Sequence, residues 1–132
     1  MKVLGILQRI IVAVALINIP AIVIGGQKTI TCADVQNGTS GKNLKDANLA
    51  GCNLAGVDLK GFNLMGANLS GANLTGADLQ GVNLKDANLS NANLMNATLN
   101  GVNCKDADFT GANLTGVTGK GECFNQVISP KK

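Results

Sequence analysis

From Lys42 to Gly116 the chain repeats every five residues without a gap, in fifteen copies. The unit reads Ala-Asn-Leu-x-Gly, as in Ala47-Asn48-Leu49-Ala50-Gly51 and Ala72-Asn73-Leu74-Thr75-Gly76. Its third, central position is Leu in thirteen copies, with Cys104 and Phe109 in the other two. The first position holds Ala, Val, Cys or Phe in every copy except the one beginning at Lys42, and the second holds Asn or Asp except at Thr98. Such a period fits neither regular element, because a helix places apolar residues every three to four positions and a strand every second one. The Gly that ends many units is also costly inside a long helix or strand. A square coil satisfies the pattern: each unit forms one side, the two apolar residues point inward, and the chain turns at each corner.

This run resembles the pentapeptide-repeat family, whose signature is A-(D/N)-L-x-x, over residues 42–116, more than half of the chain. The resemblance implies an all-β protein, a right-handed quadrilateral β-helix with capped ends. Four units close a coil of twenty residues, so the fifteen copies make about four coils. At the spacing of hydrogen-bonded strands, the prism is about 18 Å tall. Before the run, Ala33-Asp34-Val35 resembles half a unit but lies off its register. After it, Val117-Thr118-Gly119 and Glu122-Cys123-Phe124 keep the phase with degraded content. Residues 27–41 are therefore expected to form an N-terminal cap, and residues 117–132 a C-terminal cap and tail. Phe124, Val127 and Ile128 are expected to cover the last coil of a monomer. Pairing of that end with a second molecule, as in some family members, is the alternative.

Residues 1–26 read as a targeting segment rather than as part of the fold. Lys2 and Arg9 precede an apolar stretch, Ile10 to Ile24, interrupted only by Asn18 and Pro20, and Gly25 and Gly26 follow. Fifteen helical residues span only about 22 Å, short of a hydrocarbon core of about 30 Å. An uncleaved membrane anchor through residues 3–24 is the competing reading, with Arg9 snorkelling toward the headgroups. Both place the repeats outside the cytoplasm, because the positive charge lies N-terminal to the apolar stretch. The expected location is the periplasm or the thylakoid lumen, in line with the exported cyanobacterial and chloroplast-lumen proteins that the chain resembles.

The net charge of +3 falls to +1 without residues 1–26, so no basic patch points to nucleic acid. The chain has no His, no Trp and no Tyr, which leaves little for general base work and little aromatic burial. No nucleophile elbow or phosphate loop occurs, and an interior of Leu and Ala packed at crystal-like density leaves no room for a small-molecule substrate. No cofactor, no metal and no catalytic activity are expected.

Sorted by coil, the repeat gives four faces. One carries Lys45-Asp46, Met65-Gly66, Lys85-Asp86 and Lys105-Asp106, so the same Lys-Asp pair recurs in three of four coils. It reads either as a solubilising face inherited by duplication or as a charged docking strip. A second face carries Asp58 and Asp78 beside Lys60 and Gln80. The other two are nearly neutral, with Ala50, Ser70, Ser90 and Thr110 on one and Ala55, Thr75, Met95 and Thr115 on the other.

Cys52 and Cys104 belong to the first and fourth coils, roughly 12 Å apart along the axis, too far to bond to each other. Cys32 precedes Cys52 by twenty residues and Cys123 follows Cys104 by nineteen, each close to one coil. That spacing suggests two disulfides, Cys32–Cys52 and Cys104–Cys123, which an oxidising compartment permits. The simpler account, Cys as a small buried hydrophobe, stays open.

The functional expectation is an exported scaffold that docks a protein partner through an outward face. The alternative is DNA mimicry toward gyrase, which the resemblance brings in because some family members act so. It demands a dense negative surface, whereas residues 42–116 hold five Lys and six Asp.

Overall fold

The computed structural model describes residues 29–128; the segment 1–26 and the tail beyond residue 128 lie outside them. Two short helices flank the repeat, α1 over Cys32–Gln36 and α2 over Glu122–Ile128. Between them, parallel bridges join second-position residues twenty apart, from Asn43–Asn63 through Asp58–Asp78 to Thr98–Thr118. Each unit contributes a single bridged residue rather than a continuous strand. The coil is thus closed by turns as much as by sheet.

Two side-chain preferences of the unit arise from where its backbone hydrogen bonds go. In the third coil, Asn88 N–H donates to Ala67 C=O of the preceding coil at 2.9 Å. Leu89 N–H and Asn91 N–H donate forward, to Asp108 C=O at 2.7 Å and Thr110 C=O at 2.8 Å. Ala92 N–H turns back to Leu89 C=O at 3.0 Å and closes the corner. The fourth-position N–H has no neighbouring carbonyl, and the unit's own Asn takes it: Ser90 N–H donates to Asn88 Oδ1 at 2.9 Å. The same bond recurs with Asp58 and Lys60 at 3.0 Å, and with Asn113 and Thr115 at 3.1 Å. A short acceptor is therefore required at the second position, hence Asn or Asp.

The fifth position has positive φ in every unit of the run, from Asp46 at 57° to Gly116 at 69°. A turn with positive φ at its third residue favours Gly, and Asn or Asp tolerate it best among the rest. This is why Asp46, Asp86, Asn91, Asn96 and Asp106 alternate with Gly and with nothing larger.

First- and third-position side chains fill the interior. Leu44 through Leu99, twelve consecutive central residues, are no more than 1% exposed, and Ala67, Ala72 and Ala77 are fully buried beside them. Small first-position and large third-position groups interdigitate, and Phe62 brings an aromatic ring into this interior. Among the described residues no buried side-chain polar atom lacks a partner.

The flanks depart from the repeat phase. Thr31 starts α1 with a capping box, its hydroxyl accepting from Asp34 N–H while the Asp34 carboxylate accepts from Thr31 N–H. Val35 of α1 is buried in the core cluster. At the other end Val117 and Thr118 keep the phase, but residues 122–128 are helical rather than a further degraded unit. Gly119 stands where the stack under Leu59, Leu79 and Leu99 needs an inward side chain, and a Cβ there would meet the Leu99 backbone. The following unit would place Gln126 at the left-handed corner, which its side chain disfavours. The chain leaves the coil and α2 sets Cys123, Phe124 and Val127 against the core.

Candidate functional site

Since the interior is filled, any recognition must use the outward fourth and fifth positions and the two ends. On the Lys-Asp face, Lys45 Nζ lies 3.9 Å from Asp46 Oδ2 and Lys85 Nζ 3.3 Å from Asp86 Oδ2. Lys105 and Asp106 make no ion pair among the described residues, and Met65-Gly66 interrupts the column. The structure brings these residues onto one side of the coil stack, but it gives the three Asp a backbone duty that the sequence reading missed. Each occupies the left-handed corner. The signal was present: the fifth position admits only Gly, Asn and Asp along the whole run. The Lys residues at 45, 85 and 105 carry no such duty, so they are the freer half of the motif.

The second charged face holds the tightest ion pair. Asp58 and Asp78 are bridged across adjacent coils, and Lys60 Nζ reaches Asp78 Oδ2 at 3.0 Å. The hydrogen bond from Lys60 holds the Asp78 carboxyl below its ordinary range, with Gln80 N–H adding to it. The same bond, and then the charge of Asp58, hold the Lys60 ammonium above its ordinary value. One cation of the first coil thus pairs with a carboxylate of the next coil. Asp108 is lowered by hydrogen bonds from the Thr110 hydroxyl and backbone N–H. These shifts have local structural causes and lie at exposed positions, not in a pocket.

Elsewhere the second-position amides stack. Asn63 donates to Asn43 Oδ1 at 3.1 Å, Asn83 to Asn63 at 3.3 Å and Asn103 to Asn83 at 3.2 Å. The neutral faces are exposed or half-buried, and Thr75 and Thr115 hydroxyls donate to Asn73 and Asn113. Met95 is the one large apolar side chain exposed on these two faces.

Each cysteine pair spans one coil at an end. Cys32 and Cys52 lie with Cα atoms 5.4 Å apart and sulfurs at bonding distance, and Cys104 and Cys123 do the same. The first pair links α1 to the first coil and the second links α2 to the fourth. An open hollow beside Cys104 and Cys123 is lined also by Lys105, Asp106, Glu122 and Gln126. Among the described residues no group of three or more His, Cys, Asp or Glu is placed to hold a metal ion. No helix among them is long and apolar enough to cross a membrane.

A family model, Pentapeptide repeats, matches residues 43–81 and 77–116 with eight copies. Among solved structures the chain is similar to QnrB1, a plasmid-mediated fluoroquinolone resistance protein, with 27% identity, a TM-score of 0.56, and coverage of 65% of this chain and 40% of that one. It is similar to a pentapeptide repeat protein from the Arabidopsis thaliana thylakoid lumen, with 35% identity, a TM-score of 0.46, and coverage of 65% and 59%. It is also similar to HetL, involved in heterocyst differentiation regulation in the cyanobacterium Nostoc, with 29% identity, a TM-score of 0.43, and coverage of 57% and 39%. The chain spans less than two thirds of the length of each. No curated protein sequence matched.

Proposed function

The chain belongs to the pentapeptide-repeat family, with its right-handed quadrilateral β-helix, and from that premise we propose that it is an exported, non-catalytic scaffold that docks a protein partner through an outward face. Its prism has about four coils, with a helix tied to each end by a disulfide. The observation that carries this reading is the division of labour within the unit. The first and third side chains fill the interior, the second satisfies a backbone N–H and the fifth makes a corner, which leaves the fourth position free to vary. A rigid stack whose variable side chains all lie outside is suited to present a surface and not to hold a substrate.

Export is supported by the two cysteine pairs at bonding distance, since disulfides persist in oxidising compartments, and by the cationic, apolar character of residues 1–26. The docking face we favour is the column of Lys45, Lys85 and Lys105 with the corner residues Asp46, Asp86 and Asp106. Intact mass of the protein from its native host tests export. A mass short of the targeting segment, with all four cysteines resistant to alkylation until reduced, is the expected result. Four freely alkylating thiols on a full-length chain would end the export reading. For the face, a photo-crosslinker at position 45, 85 or 105 should capture one protein that the same group at 50, 70 or 90 does not.

Membership of the family gives a second reading, gyrase binding by DNA mimicry, as some members act so. The near balance of Lys and Asp over residues 42–116 weighs against it. Unchanged supercoiling by gyrase at micromolar protein would exclude it.

A further inference from the structure

The inter-coil ladder ends at the fourth coil, and the last inward side chains are covered unevenly. In the third coil the N–H groups of Leu89, Asn91, Leu94 and Asn96 donate to carbonyls of the fourth, at 2.7, 2.8, 2.8 and 2.9 Å. Their equivalents one coil later are Phe109, Gly111, Leu114 and Gly116, and among the described residues these four N–H groups have no acceptor, nor have those of Cys104 and Asp106 on the neighbouring side, so the sides differ in apolar cover and not in the ladder. α2 is fastened on another side of the stack: Cys123 lies at bonding distance from Cys104, and the Gln126 side chain approaches the same sulfur. The inward side chains over the two open sides, Ala107, Phe109, Ala112 and Leu114, are only partly buried, whereas their counterparts Ala87, Leu89, Ala92 and Leu94 are at most 1% exposed. Two adjacent sides of the last coil therefore form an open edge with an apolar floor.

We propose that this edge receives a coil-like segment of another polypeptide, a pentapeptide unit pair laid on in parallel register. The geometry of the edge defines the chemistry of its partner. That segment must offer backbone carbonyls two residues apart in each unit, at the spacing with which Asp108 and Thr110, then Asn113 and Thr115, accept from the third coil. It must bring small and large apolar side chains to lie on Ala107 with Phe109 and on Ala112 with Leu114. A chain carrying A-(D/N)-L-x-G units meets both demands. The N-terminal end of a second copy of this protein does not, because α1 already places Val35 in the core there and Gln36 donates to the Asn53 carbonyl. This inference is independent of the outward-face reading, since it uses the end of the stack.

The test is residue-resolved hydrogen exchange on the full oxidised protein, with a synthetic peptide of the sequence of residues 82–101 added to millimolar concentration. The expected result is slowing by about tenfold or more at the amides of Phe109, Gly111, Leu114 and Gly116, with no change at Leu89 or Asn91. A scrambled peptide should do nothing, and Leu114→Lys should abolish the slowing. Thr110→Lys, on the outward face, should retain it and so control for folding. No slowing with the native-sequence peptide would overturn the proposal. So would protection of the four amides in the protein alone that rises with a concentration-dependent dimer mass, because the edge would then belong to a second copy.

Discussion

At the N-terminal end of the stack Leu44, Leu49, Leu54 and Leu59 are as buried as any residue in the middle, whereas Phe109 and Leu114 occupy the same inward positions at the C-terminal end and are only partly buried. The units are alike, so the difference lies in the chain that covers each of them. Repeats bury one another's faces, and the last face depends on a segment that is not a repeat. A cap protects as far as it reaches: α2 is linked to the Cys104 side and leaves Phe109 and Leu114 partly open. Inward Leu residues of equal sequence rank are therefore unequal in energy.

The largest test of that inequality is a pair of truncations. Leu79→Ala, in the fully buried stack, should cost about 2–5 kcal/mol, and Leu114→Ala, at the open end, about 1–2 kcal/mol, because less area leaves water there. Urea denaturation of both variants measures the gap; equal losses would show that the two ends are buried alike in solution.

A smaller effect separates two corners. Gly81→Ala should cost about 1–2 kcal/mol, the penalty of a Cβ at a left-handed φ. Gly66→Ala should cost more, because the new Cβ meets the Asp46 carboxylate folded over it from the preceding coil, while nothing lies near Gly81. The excess should stay small, at most about 0.5 kcal/mol, because the exposed Asp46 side chain can swing aside, and it should vanish when Asp46 is replaced by Gly, as a double-mutant cycle reads directly.

The smallest effect is electrostatic. Asp78 has its folded pKa lowered by Lys60, so its contribution is present above the unfolded carboxylate pKa of about 3.9 and is lost as pH falls through the lower folded value. Lys60 has its pKa raised, so its contribution is present below the unfolded value near about 10.4 and is lost as pH rises through the folded one. Melting of Asp78→Asn should fall slightly below that of the parent near neutral pH and match it in strong acid. The Asn amide keeps an acceptor for Gln80 N–H, so only the charge is removed. A difference that persisted in strong acid would point to packing instead.

How far the sequence could be read varied by position in the unit. The inward residues were legible, because an apolar pair recurring every five residues admits one way of facing a common interior. The second position was visible as Asn or Asp but not explained; its acceptor role depends on a fourth-position N–H that no carbonyl reaches. The fifth position misled in part. Asp46, Asp86 and Asp106 read as halves of charged pairs, yet each sits where the backbone admits Gly, Asn or Asp. The helical flanks were not foreseen, although Thr31 and Asp34 three residues apart were a capping signal within the apparent half-unit.

By itself, then, the sequence determined the family, the coil and its filled interior, because those depend on periodicity and side-chain volume, which are local and repeated fifteen times. Only the tertiary structure decided which backbone groups go unpaired, how far α2 covers the last coil, and that Lys60 serves the carboxylate of the next coil. Those depend on contacts about twenty residues apart and on ends that occur once, where no repetition averages out the particular residue.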